Sequence, residues 1–160
     1  MRKSLGKQAQ NENGIFFNHM PAKKIKEIVG EIVWDSYYKF CFDRNPWDKV
    51  ISFYYFTCNP NKISFDEFIK SGKFKGAYNY PLYTMDNEVI VDFVGEYESL
   101  DEDLLRVTKE IGIPFDSWLP RAKGNARKDR RHYRNVYSDE HKEIVQQYYS
   151  KEIELHGYKF

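Results

Sequence analysis

The chain has 160 residues, the size of one domain with a sizeable core, and 18% of them are aromatic, including 13 Tyr and 12 Phe. That aromatic load and a net charge of +1 exclude a disordered polyelectrolyte. There is no run of about 18 apolar residues to span a membrane, and the basic start Met1-Arg2-Lys3 lacks the apolar stretch of a secretory signal.

Residues 1–14 are a polar N-terminal segment. Ile15-Phe16-Phe17 is a short strand candidate ending at Asn18-His19-Met20-Pro21. From Ala22 the pattern is helical, with Ile25, Ile28, Val29, Ile32 and Val33 on one face. Tyr38 to Phe42 reads as a buried strand that takes in Cys41 as a small core residue. Asn45 is a good N-cap and Pro46 suits the first helical position. Trp47, Val50, Ile51, Tyr54 and Tyr55 then recur at helical spacing, to about Phe56.

Asn59-Pro60-Asn61 is a turn, and Ser64-Phe65-Asp66-Glu67 is a capping box opening a short helix with Phe68 and Ile69. Residues 71–86 read as an irregular aromatic loop, and residues 88–96 contain a second strand with Val89, Ile90, Val91, Phe93 and Val94. Ser99-Leu100-Asp101-Glu102 is a second capping box, whose helix carries Leu104, Leu105, Thr108 and Ile111 and stops near Gly112 and Pro114. Residues 115–134 form a basic loop. Ser138 caps a last helix with Ile144, Val145, Tyr148 and Leu155, closed by Gly157. Helices alternating with short buried strands predict a single α/β domain over residues 1–160, with a parallel sheet flanked by helices.

Arg44 stands where a strand ends and a helix begins. Free backbone N–H groups and the positive end of the helix dipole would point at the same spot, so an arginine there makes an anion site with phosphate as the natural occupant. An arginine at a strand end is more often an ordinary surface ion-pair residue than a ligand anchor, and its position alone leaves both readings open. Arg121, Lys123, Arg127, Lys128, Arg130, Arg131 and Arg134 face one acid, Asp129, so this segment is +6 and the rest of the chain sums to −5. Such a patch suits an anionic partner, a nucleotide, an acidic sugar or a nucleic acid, or is a solvated basic loop. Cys41 and Cys58 have neither metal nor redox spacing, and no metal-ligand cluster is evident. A reducing, cytoplasmic setting is the default.

Three stretches resemble the carbohydrate sulfotransferase family. Arg44-Asn45-Pro46-Trp47-Asp48-Lys49-Val50-Ile51-Ser52 resembles its 3′-phosphate motif, an arginine followed eight residues later by a serine. Asp92-Phe93-Val94-Gly95-Glu96-Tyr97-Glu98-Ser99-Leu100 is similar to its strand and turn. Tyr133 to Tyr148, with His156-Gly157-Tyr158-Lys159-Phe160, is similar to its C-terminal helix and aromatic tail.

The resemblance implies a P-loop-kinase-like fold. It also implies transfer of a sulfuryl group from 3′-phosphoadenosine 5′-phosphosulfate (PAPS) to a hydroxyl, commonly on a sugar, without a metal. Arg44 and Ser52 would bind the 3′-phosphate, although Ser52 read alone is an ordinary mid-helix serine. His19 would be the general base, since an unperturbed imidazole with a pKa of about 6.5 accepts a proton near neutrality. A lone histidine is otherwise structural. Lys123, Gly124 and Arg127 fall in a loop similar to the one that closes over the nucleotide, and Arg130, Arg131 and Arg134 are candidates to hold an acidic acceptor. Glu98 reads as a structural carboxylate that takes turn amides.

The family's opening strand and phosphosulfate loop, of the form PKTGGTS, has no counterpart here. The chain starts at Met1-Arg2-Lys3-Ser4-Leu5, which resembles the helix after that loop. Truncation, loss of catalysis in a relative that still binds nucleotide or sugar, or substitution by Lys3 or Lys7 would each account for this. A missing first strand would expose a sheet edge and favour a homo-oligomer. The alternatives to an enzyme are a non-catalytic protein that binds an anionic glycan or nucleotide through the basic loop, and a nucleic-acid binder.

Overall fold

The computed structural model describes residues 15–119, 127, 129 and 131–160. In chain order these form α1 (Ala22–Val29), α2 (Glu31–Ser36), β1 (Phe40–Asp43), α3 (Pro46–Thr57), α4 (Phe65–Lys70), α5 (Tyr80–Tyr83), β2 (Thr84–Met85) and β3 (Glu88–Val89). There follow β4 (Phe93–Glu96), α6 (Leu100–Glu110), α7 (Asp139–Tyr148) and α8 (Ser150–His156), with short 3-10 turns between. β1 and β4 form a small parallel sheet, and β2 pairs with β3. Helices around a small parallel sheet accord with the α/β expectation. The chain divides into two compact units, one of residues up to Lys39 with Tyr80–Phe93, the other of Phe40–Asn79 with Val94–Phe160.

In the first unit, Ile15 to Phe17 form no strand; they lead into a turn in which His19 has φ +59°. The long helix expected from Ala22 breaks at Gly30, whose φ of 79° and ψ of 162° lie in a region open almost only to glycine. The break re-aims the second half. Trp34 is buried while Ile32 is 89% exposed, so the expected apolar face is not a buried one. Residues 84–89 form a hairpin where an irregular loop and the start of a strand were expected. Thr84 pairs with Val89 and Met85 with Glu88. Asp86 and Asn87 between them have φ of 54° and 68°, which gives the positive-φ, two-residue loop that twisted strands favour.

The second unit is built on α3. Asn45 caps it, accepting from the Trp47 and Asp48 amides, and Pro46 opens it. Trp47, Val50, Ile51 and Tyr54 enter one core with Phe68 and Ile69 of α4, Phe74, Tyr133, Val145 of α7 and Tyr149. Ser64 and Glu67 close the expected capping box on α4. The second expected box does not form. Ser99 makes no side-chain cap, and Asp103 instead accepts from the Glu96 amide at 2.8 Å and the Ser99 hydroxyl at 3.0 Å. The single last helix is two, α7 and α8, divided at Tyr149, with Ser138 capping the first and Gly157 (φ 65°) ending the second.

Candidate functional site

Arg44 follows the last residue of β1 directly, so the strand fixes its backbone and α3 fixes what lies beside it. Its Nε donates to Asp48 Oδ2 at 2.8 Å, and its Nη2 reaches the same oxygen. The guanidinium lies 4.5 Å from the ring centroid of Tyr97, itself 51% exposed. The amides at this corner are not free, as the sequence reading had them. Arg44 N–H donates to Asp43 Oδ1 and Asn45 N–H to Glu98 Oε1, both at 2.8 Å, while Asn45 takes the amides of Trp47 and Asp48. Short polar side chains saturate the helix start before any ligand arrives. Any anion affinity here therefore rests on side chains. Glu98 takes the turn amide expected of it.

Asp48, Ser52 and Tyr55 recur at helical spacing on one face of α3. Arg127 and Asp129 come against that face. Arg127 Nη1 donates to Asp48 Oδ1 at 3.0 Å, its Nε donates to the Asp129 carbonyl at 2.7 Å, and its Nη2 reaches the Arg131 carbonyl. Tyr55 Oη lies 3.5 Å from Asp129 Oδ2. Arg131 pairs with Asp129, whose carboxyl its hydrogen bonds hold down at about 2. Two guanidiniums from distant parts of the chain thus share one carboxylate beside the half-buried Ser52.

Beneath the corner is a buried polar cluster. Lys49 Nζ donates to Asp43 Oδ1 at 2.7 Å and to Glu152 Oε2 at 2.6 Å. Asn79 donates its amide to Glu152 Oε1 at 2.8 Å and its Nδ2 to Asp43 Oδ1 at 3.2 Å. Burial pushes the Glu152 carboxyl up to about 7, with Lys49 opposing and Asp43 adding to the rise. Burial, with Asp43 nearby, also pushes the Cys41 thiol up to about 12, which makes it inert as a nucleophile.

The C-terminal aromatics close over the start of α3. Trp47 Nε1 donates to the Lys142 carbonyl at 3.2 Å, and Tyr137 Oη donates to the Trp47 carbonyl at 2.9 Å. Phe160 meets Trp47, Tyr133 and Tyr137 edge-on, with centroids 5.4 to 5.8 Å apart.

The second unit thus brings Arg44, Ser52, Arg127 and Arg131 onto or beside one helix face. Arg134 is exposed, its guanidinium 5.5 Å from the Tyr133 ring centroid. His19 is exposed in the first unit. Lys3, Lys7, Lys123, Gly124 and Arg130 lie outside the described residues. Sequence reasoning missed Asp48, Tyr97, Lys49, Glu152 and Asn79. Among the described residues, no group of three or more His, Cys, Asp or Glu could hold a metal ion, and no helix is long and apolar enough to cross a membrane.

A strand-to-helix corner thus carries one arginine, and a second arginine from far along the chain folds onto the same helix. A family model described as the sulfotransferase family matches residues 3–159, and the chain belongs to that family. It is also 46% identical over 101 residues to an uncharacterized protein of Archaeoglobus fulgidus, covering 59% of this chain and 84% of that one. No solved structure matches.

Proposed function

We propose that this chain is a PAPS-dependent sulfotransferase whose acceptor is a hydroxyl on a saccharide or related compound, built on a P-loop-kinase-like layer. The observation that carries the reading is the pairing of Arg44 and Arg127 on one carboxylate beside Ser52. Guanidinium forks and a hydroxyl are the donor set for a phosphate monoester, and they suit the 3′-phosphate of the nucleotide. Membership of the sulfotransferase family supports the chemistry.

When bound, PAPS supplies the sulfuryl group and a phosphate leaving group. Arg44 and Ser52 would anchor the 3′-phosphate, and Arg127, with Lys123 and Gly124, would bind the nucleotide. The Arg44 guanidinium lies over the Tyr97 ring, which adds a cation–π contact. His19 would take the proton from the acceptor hydroxyl. Its positive φ is an uncommon conformation of the kind found at functional positions. Arg130, Arg131 and Arg134 hold an acidic acceptor.

The test is a thermal shift with adenosine 3′,5′-bisphosphate on wild type and Arg44→Ala. Ligand at about 100 times its Kd adds ~2.7 kcal/mol to the wild type and nothing to the variant. With PAPS and an acceptor, His19→Ala loses ~10²–10⁴ in turnover. The exposed Arg131 and Arg134 favour, as a second reading, a non-catalytic protein that holds an anionic glycan. That protein would bind sulfated polymer equally well with and without Arg44.

A further inference from the structure

Arg44 commits one edge of its guanidinium, Nε and Nη2, to a single oxygen of Asp48. The other oxygen of the same carboxylate accepts from Arg127 Nη1 at 3.0 Å. One carboxylate therefore sits between two guanidiniums, as the oxygens of a phosphate would. The Nε–Nη2 edge is the one that a tetrahedral anion takes with two parallel bonds. Asp48 and an incoming phosphate cannot both hold it, and if they stand side by side they repel as like charges.

The three side chains are 26, 22 and 17% exposed, for Arg44, Asp48 and Arg127 in turn. Charges so placed are screened less than those on an open surface. Asp129 answers Arg131 at 2.6 Å, so the charge left to attract a ligand comes from Arg44 and Arg127, offset by Asp48.

We infer that Asp48 is an internal substitute for the ligand's phosphate, and that exchange of Arg44 between Asp48 and the ligand sets the affinity of the α3 site for a phosphorylated nucleotide. The inference rests on the reading of Arg44 as the phosphate anchor. It gives Asp48 two effects of opposite sign. With no ligand, the carboxylate neutralises two arginines and stabilises the fold. With ligand, it competes, and so weakens the hold on the nucleotide and lets the product leave. A carboxylate that only positioned Arg44 would instead strengthen binding.

The experiment is isothermal titration of the full chain with adenosine 3′,5′-bisphosphate, and with inorganic phosphate, alongside melting curves without ligand. The variants are Asp48→Asn, Asp48→Ser as a second neutral change, Asp48→Glu to keep the charge, and Arg44→Ala. The neutral variants should melt at lower temperature when empty and yet bind the bisphosphate about tenfold more tightly, the scale of removing one nearby like charge. Asp48→Glu should bind as the wild type does. Unchanged or weaker binding by both neutral variants, in folded protein, overturns the inference. If Arg44→Ala abolishes binding while the neutral variants gain nothing, the phosphate anchor stands and only the role of Asp48 falls. If wild type and Arg44→Ala bind alike, or neither binds, both fall.

Discussion

Glu152 is 0% exposed and takes Lys49 on one oxygen and the Asn79 amide on the other, yet burial holds its carboxyl up at about 7 against an ordinary value of 4.5. A carboxyl that binds its proton more tightly in the folded state lowers stability as pH rises between the unfolded and folded values. The loss begins near 4.5 and is complete above about 7. Melting of wild type and Glu152→Gln between pH 5 and 8 should therefore diverge. The wild type loses on the order of 1–3 kcal/mol relative to the variant across that window. Curves that run parallel would remove Glu152 as the source. Lys49 and Glu152 also show where reading single residues fails. Neither stands out within its own helix, and what decides their burial is a partner 103 positions away.

Local rules held at the scale of an element at Asn45 and at Ser64, whose side chains accept from amides within the first turn. They failed at α6, where Asp103 reaches back past Ser99 to the last residue of β4. Asp103→Ala strands the Glu96 amide and should cost about 1–2 kcal/mol. Ser99→Ala removes one hydroxyl from a partly exposed bond and should cost about half a kcal/mol or less. Urea unfolding of the two variants ranks them, and the reverse order would restore the serine as the cap. The hairpin over residues 84–89 was missed for a related reason. Asp-Asn suits a positive-φ loop, but its strands are two residues each, too short to show alternation.

In the molecule as a whole, α3 is both the core of the second unit and the floor of the candidate site. Val50 and Ile51, which lie between Asp48 and Ser52 in α3, are fully buried. Ile51→Ala should cost about 2–5 kcal/mol, measured by denaturant midpoint, because the packed neighbours collapse only in part. A cost under about 1 kcal/mol would mean that the site rests on something other than this core. The chain returns to α3 three times to complete the surroundings of Arg44: through Glu98 and Tyr97 after β4, through Arg127 in the basic segment, and through Tyr133, Tyr137 and Phe160 near the C-terminus.

The stretches that resemble the sulfotransferase family are the ones that meet there. By itself the sequence determined the family, the existence and start of α3 and α4, and the place of Arg44 at a strand-to-helix corner. Periodicity, N-capping residues and a proline act within a few positions and are legible in order along the chain. The tertiary structure alone decided what joins Arg44 and its neighbour Asp48 at that corner. The closing of the corner by Glu98, the sharing of Asp48 with Arg127, and the burial of Lys49 against Glu152 each depend on residues far apart in sequence. Charge and hydrogen-bond complementarity act through space at about 3 Å, and no local pattern of residue types encodes which distant carboxylate will arrive.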